Sequence, residues 1–468
     1  MNIGNQMKHK PLRLFFFLVA CLLATTLNAQ ELDSLKAEVQ SLKEQLKKVE
    51  ELENRLESIE NDSSYSKYLN AKNSGKDTTF SKELEVPKTD VREQQATLTG
   101  QELINDDFPG SWPLFGTDFR MKLGGKIKAD FLYDINGTDD PYQFLMATIP
   151  VEGTPQYGYD GYINYFARES RFSLDIRRVT PNTVPLRAYL EADFWTNDVQ
   201  LRLRQAYITA GNFTIGQTWT TLSLLETITI FIDFAAGDAL YGGRSTQIRY
   251  SDNIDDNWKY AVAVEMLNFM GIENPDTLFG KPSLQLPLLA GRIGYYWSSG
   301  LVILGAEVAQ LHWDGAGIGP DASGLQASVV FGGRKYFGKD DFATWNISYG
   351  VGSGENIMAF AGSQANAVLT KEGTLETMPA YAFVLGFMHR WNAVFSSNIG
   401  YAYGWLVETP ESRAPLALKE GGIGHLNLFF NPIQVLSTGI EYMYGSVRTT
   451  DGSLGRASRI QFMVMFEW

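Results

Sequence analysis

The chain has 468 residues, 44% of them hydrophobic and 20% charged, with a formal net charge of −13. The acidic balance, with a pI near 5.0, excludes a protein that grips nucleic acid through a basic face, and a mean hydropathy of −0.16 excludes a bundle of transmembrane helices. One Cys and four His exclude a disulfide scaffold and argue against a metal or cofactor centre, whereas 44 Gly and 13% aromatic residues point to an all-β protein.

Lys8, Lys10 and Arg13 precede an apolar run from Leu14 to Leu27, and Ala29 offers a small residue for cleavage. This is the pattern of an export signal over residues 1–29. Leu18-Val19-Ala20-Cys21 also resembles a lipidation box, but the run stays apolar through Leu22 and Leu23, which favours a cysteine inside the signal. Over 30–62, Leu32, Leu35, Val39, Leu42, Leu46, Val49, Leu52, Leu56 and Ile59 recur at spacings of three and four, with one irregularity between Val49 and Leu52. The heptads predict an α-helical coiled coil, and the even strand count of the region after it places it in the periplasm. So narrow a stripe needs partner helices; a lone helix packed on the rest of the chain is the alternative. The heptads do not separate two strands from three. Residues 63–118 are rich in Ser, Lys, Thr, Asn and Glu and read as a polar linker.

From 119 to 468 the hydrophobic period changes to two. Ile460, Phe462, Val464, Phe466 and Trp468 alternate with Gln461, Met463, Met465 and Glu467. Near the other end, Met121, Leu123, Ile127, Ala129, Phe131 and Tyr133 are interleaved with Lys122, Lys126, Lys128 and Asp130. Charges at alternate positions cannot face a sandwich core, but they can face a water-filled lumen while the other face meets lipid. Marking such segments gives about sixteen antiparallel strands, beginning near Met121, Arg171, Leu186, Val199, Phe213, Arg244, Trp258, Leu289, Leu301, Leu325, Phe342, Ala380, Ala393, Ile423, Ile433 and Arg459. Short and long connections alternate, as periplasmic turns and outer loops do. The expected fold is a transmembrane β-barrel in the outer membrane.

Two features carry function. On the first six strands the inward parity holds Lys122, Lys126, Lys128, Arg171, Arg177, Arg187, Arg202, Arg204 and Arg249, against Asp130, Asp175, Glu191 and Asp193. On the other strands inward charge is balanced, with Arg292 and Arg459 against Glu265, Glu307 and Glu441. A lumen positive on one side selects anions, and the arginine fork suits a carboxylate. The alternative is that these arginines pair with the inward acids and brace the barrel. The second feature is the third long loop, Thr220–Gly243, too apolar to lie in water outside the cell. Folded into the lumen, it would bury Ile228, Ile230, Phe231, Ile232 and Phe234 against the wall. Glu226, Asp233 and Asp238 would then face the basic side across a constriction. Packing at a subunit interface is the other reading of this loop.

Phe108-Pro109-Gly110-Ser111, Phe115-Gly116-Thr117-Asp118, Leu123-Gly124-Gly125, Ile149-Pro150-Val151 and Ala167-Arg168-Glu169-Ser170-Arg171-Phe172 follow one another in the sequence. They are followed by Glu191-Ala192-Asp193-Phe194, Leu201-Arg202-Leu203-Arg204-Gln205-Ala206-Tyr207 and Ile215-Gly216-Gln217-Thr218-Trp219. In this order, with a coiled coil before the barrel, they resemble the DcaP-like outer-membrane porins. The resemblance implies a homotrimer that imports small anionic solutes such as dicarboxylates, with Arg168, Arg171, Arg202 and Arg204 in the lumen. Outer-membrane lipid, further copies of the chain and such solutes are the expected partners. Two competing functions are a non-conducting tether from the outer membrane to peptidoglycan, and a barrel phospholipase or protease. An enzyme is not expected, because His312, His389 and His425 sit in no recognisable nucleophile–base motif.

Overall fold

The computed structural model describes Lys47 and residues 108–114, 117–180, 183–196, 198–235, 237–268, 270–407 and 414–468. Apart from Lys47, the expected export signal, Cys21 and the coiled coil lie outside these residues.

Residues 119–467 form a closed antiparallel barrel of sixteen strands. The first eight are β1 (Phe119–Asn136), β2 in two pieces (Asp160–Phe166 and Arg171–Arg178), β3 (Leu186–Asp193), β4 (Arg202–Ala210), β5 (Phe213–Trp219), β6 (Arg244–Asn253), β7 (Trp258–Glu265) and β8 (Leu288–Trp297). The others are β9 (Gly300–Asp314), β10 (Ala322–Phe337), β11 (Asp341–Val351), β12 (Pro379–Arg390), β13 (Phe395–Leu406), β14 (Leu418–Ile433), β15 (Leu436–Thr449) and β16 (Leu454–Glu467). Each pairs with its sequence neighbours, and β1 closes the ring on β16, Lys126 lying opposite Glu467 and Phe131 opposite Phe462. Beyond β16, Trp468 donates its backbone N–H to Gly125 O at 3.1 Å and extends the seam.

The alternation seen in the sequence is the alternation of faces. On β15, Ile440, Tyr442 and Tyr444 are exposed on the outside, whereas Gly439, Glu441, Met443 and Gly445 are buried inside. Such strands place apolar and aromatic residues toward lipid and leave polar ones for the lumen.

All sixteen expected segments are strands. The starts of β14 and β16 lie earlier than Ile423 and Arg459 because Leu418–Gly422 and Leu454–Ser458 are glycine- and polar-rich and carry no hydrophobic period. The upper piece of β2, Asp160–Phe166, lies within what read as a loop. At the other end, Trp112 and Pro113 pair with Met121 and Arg120 of β1, and Arg120 donates to Ser111 Oγ at 2.7 Å and Ser111 O at 2.6 Å. The last part of the expected linker is thus docked on the barrel.

Sixteen strands enclose a lumen too wide for wall side chains to fill. The hydrophobic core lies inside it. Phe144, Met146 and Ile149 of the first long loop, Leu222 and Leu224 of the third, and Phe360 and Leu369 of the sixth pack together on inward residues such as Ile303, Val330, Val384 and Met443. Full burial of each large apolar side chain is worth about 1.5–3 kcal/mol, so loops that would dangle outside are held within.

Candidate functional site

The third long loop, L3 (residues 220–243), packs inside the lumen against the wall. Its seat is built from inward polar side chains of successive strands. Thr221 donates backbone N–H (2.7 Å) and hydroxyl (2.6 Å) to Glu265 on β7. Tyr241 donates to Glu307 on β9 at 2.6 Å. Asn346 on β11 donates to Thr227 Oγ1 at 2.9 Å, and Thr229 donates to Asn398 Oδ1 on β13 at 2.7 Å. The Glu441 carboxylate on β15 accepts the N–H groups of Ile232 (2.9 Å) and Asp233 (3.1 Å), and Lys128 on β1 donates to Ile232 O at 2.7 Å. L3 therefore follows the wall from β7 round to β1 and reaches the side of β2–β6 only at its tip, Phe234. A row of inward glycines makes room: a Cβ on Gly305, Gly332, Gly386, Gly400 or Gly439 would press on Leu222, Thr227, Thr229, Phe231 or Ile232 respectively. Gly237 (φ 92°) and Asp238 (φ 60°), both in the left-handed region, turn the loop back.

The β2–β6 side is the basic wall, arranged in two tiers. In the upper tier Arg202 binds Asp193 at 2.8 Å, and Arg204 binds Glu191 (2.6 Å) and Asp193 (2.7 Å). Two arginines thus meet two carboxylates, and Arg204 is buried. A β-bulge opposite Glu191 and Ala192 shifts the register here. Beside this cluster, Glu169 takes Lys126 at 2.5 Å, Arg171 at 3.6 Å and Lys128, which also lies 3.3 Å from Asp130. In the lower tier Asp175 carries both Arg177 (2.7 Å) and Arg187 (2.8 Å). Arg249 donates to Trp219 O at 3.2 Å and has no carboxylate within 4 Å among the described residues. Arg292 lies 3.4 Å from Glu226. Among the described residues Arg244, beside Arg202 and Arg204, and Arg334, which donates to Ile228 O at 3.0 Å, likewise have no carboxylate within 4 Å, so residual positive charge lies in both tiers and on the L3 side. Of the inward acids it is Asp175, not Glu191 or Asp193, that holds Arg187. Tyr189 links the tiers: the Arg187 guanidinium carbon lies 4.7 Å from its ring centroid, and its hydroxyl donates to Glu191 at 3.2 Å.

The loop acids differ from expectation. Only Glu226 reaches the basic side. Asp233 and Asp238 are buried and hold the first long loop instead: Asp233 Oδ1 accepts the N–H of Phe144 at 3.2 Å, and Asp238 Oδ2 accepts that of Met146 at 2.6 Å. Burial pushes the Asp233 carboxyl up to about 7, against the opposing pull of His425. Burial likewise raises Asp238 well above the usual carboxylate range. These acids sit in a polar cradle of loop N–H groups that the sequence alone does not reveal. The apolar residues of L3 also divide. Ile232 is buried on the wall and Phe231 and Phe234 are half-buried, but Ile230 is 56% exposed. Thr227 and Thr229 take the wall positions, because their hydroxyls satisfy Asn346 and Asn398.

At the loop tip, Phe234 stacks on Trp195 with ring centroids 4.2 Å apart, and the guanidinium carbons of Arg204, Arg202 and Arg171 lie 5.5, 5.9 and 6.0 Å from its ring. Arg168, placed in the lumen by resemblance, instead lies 3.7 Å over the Tyr142 ring and donates to Thr196 O at 2.9 Å, tying the first and second long loops. Sequence reasoning missed Trp195, Glu169 and Arg244. Trp195 and Glu169 stand outside the regular alternation, and Arg244 is at a strand end, stacked 4.8 Å over Trp219 and within the field of Arg204 and Arg202. The histidines stay apart: His312 bonds Ser323 and Gln285, His389 bonds Asp341, and His425 bonds Glu441.

No curated protein matches this sequence. Among solved structures, the outer membrane channel DcaP of Acinetobacter baumannii is similar, with 20% identity, a TM-score of 0.65, and coverage of 75% of this chain and 97% of that one. An anion-selective porin from Comamonas acidovorans is similar at 12% identity and a TM-score of 0.50, covering 75% of this chain and 100% of its own. The barrel is thus that of an outer-membrane porin. The DcaP outer membrane protein family matches residues 105–468, and the chain belongs to that family.

Proposed function

We propose that the protein is a passive porin that admits small hydrophilic solutes with a preference for anions such as dicarboxylates. The observation that carries this reading is the lower tier, where Asp175 is shared by two arginines and Arg249 has no carboxylate, on the side of the lumen that L3 reaches only at its tip. Anions meet the two tiers in succession. The tiers act as stations along the path. The ion pairs of the upper tier brace the barrel and L3; the excess cations of both tiers, Arg244 among them, set the sign of the field. The anion selectivity of the Comamonas acidovorans porin is in line with this reading. The test is the reversal potential of the reconstituted protein in a KCl gradient. Chloride preference is the expected result, and a cation-selective pore would overturn the proposal.

We further propose a homotrimer with its coiled coil over 30–62 in the periplasm. The heptad stripe supports this, and so does the upper piece of β2. Among the described residues it pairs only with β1, and it exposes Ile163 by 76% and Tyr165 by 72%. An open strand edge cannot face lipid and calls for a protein partner.

A further inference from the structure

L3 presents an apolar rim to the β2–β6 side of the lumen. Thr227 and Thr229 are turned to the wall, so the residues between and beyond them, half-buried Ile228 and exposed Ile230, point the other way. The rim begins at Glu226, neutralised by Arg292 at 3.4 Å, and ends at Phe234, half-buried amid Arg171, Arg202 and Arg204. Asp233 and Asp238, which could have made the rim acidic, are spent on the first long loop. A solute passing here has the arginines of β2–β6 on one side and isoleucine side chains on the other, where one cation, Arg334, is tied to Ile228 O at 3.0 Å. Exposed isoleucine in a water-filled passage is unfavourable unless something apolar covers it in transit.

We infer that the channel favours amphipathic carboxylates, whose charged group follows the arginine side while an apolar body covers Ile228 and Ile230, over polyhydroxy carboxylates of the same charge and chain length. This rests on the anion reading above and names the class of anion within it. A bulky apolar cation is repelled by the arginines, and a sugar acid gains nothing from the rim.

The experiment uses the full-length protein in planar bilayers near pH 7.5. Bi-ionic potentials are measured with chloride against hexanoate and with chloride against gluconate, both six-carbon monocarboxylates, and each ratio is divided by the free mobilities of the ions. The expected result is a hexanoate permeability about fivefold above that of gluconate, the factor obtained from covering roughly 40 Å² of apolar surface. In the double variant Ile228→Asn, Ile230→Asn the advantage falls to near one. Equal corrected permeabilities in a chloride-selective wild-type pore would overturn the inference and leave the anion reading standing. A cation-selective wild-type pore would remove both. The wild-type comparison decides the matter even if the double variant fails to assemble.

Discussion

Gly332 on the wall makes room for Thr227 on L3: a Cβ at Gly332 would lie 2.6 Å from Thr227 Oγ1 and 2.8 Å from its methyl carbon. The wall therefore specifies the loop as much as the loop specifies the wall. Replacing Gly332 by Val should lift this part of L3 off its seat, break the bond from Asn346 to Thr227, and push Ile228 and Ile230 further into the passage. The unitary conductance should fall and become noisier while the barrel still assembles. A wild-type conductance trace from Gly332→Val would mean that the glycine row does not hold the loop.

Asp238 is a second anchor, and its charge is not what matters. Oδ2 accepts the Met146 N–H at 2.6 Å, and burial raises this carboxyl far above its ordinary value. Asp238→Asn keeps an acceptor of the same shape and should leave protease resistance of the first and third loops near wild type. Asp238→Ala leaves a buried N–H unsatisfied, at a cost of about 1–3 kcal/mol, and should open both loops to cleavage. Equal digestion of the two variants would count against this assignment.

The strands were legible in the sequence because lipid on one side and water on the other impose a strict period of two. Sixteen segments and the inward set from Lys126 to Arg249 follow from that rule alone. What the rule cannot supply is who pairs with whom. Asp233 and Asp238 sit in a loop with no period, so their burial against Phe144 and Met146 depends on contacts some ninety residues away in sequence. Glu169 lies in the break between the two pieces of β2, where parity is undefined, and it neutralises part of what looked like free positive charge. The glycine row was visible only as composition, since each glycine matters through the L3 residue opposite.

The arginines should separate by variant. Arg249 has no carboxylate partner, and a unit charge ~10 Å from a passing anion in water is worth about 0.4 kcal/mol, or roughly a twofold change in permeability. Arg249→Ser should lower the chloride/potassium ratio by about that factor at normal yield. Arg204 is buried between Glu191 and Asp193, and its removal strands Glu191 and leaves Asp193 to Arg202 alone. A broken buried pair costs about 3–5 kcal/mol, so Arg204→Ser should reduce the amount of folded protein more than it changes selectivity. The measurements are the KCl reversal potential and the heat-modifiable band on a gel. The reverse pattern would make Arg204 the selecting residue and Arg249 the brace.

Trp468 closes the barrel through two backbone bonds to Gly125, of 3.1 and 3.4 Å, and its ring packs on Phe172 and Phe466. A Cβ at Gly125 would lie 2.9 Å from the Trp468 ring, so glycine allows the ring to lie against the seam. Trp468→Ala removes the ring contacts and should lower the yield of assembled barrel several-fold, with the unfolded band increasing on unheated gels. An unchanged folded band would show that backbone pairing alone suffices at the seam.

The proposed trimer makes the last prediction, and it joins two parts of the chain. The upper piece of β2 pairs with β1 on one side and, among the described residues, has an open edge on the other; Tyr165 N–H donates to the side chain of its own neighbour Asn164 at 2.9 Å. Nearby, Phe194, Val199, Arg168 and Tyr165 line a cavity of about 510 Å³, large enough to receive a segment of a second copy. If that edge is the protomer contact, Ile163→Lys should place a charge in it and weaken association. Deleting residues 31–62 should weaken it separately by removing the heptad stripe. Each change alone should leave oligomers that dissociate on dilution, and the two together should give monomers that still migrate as folded barrels. Crosslinking and light scattering in detergent read the outcome directly. A monomeric full-length protein would refute the assembly, and an oligomer indifferent to Ile163→Lys would move the contact to another face of the barrel.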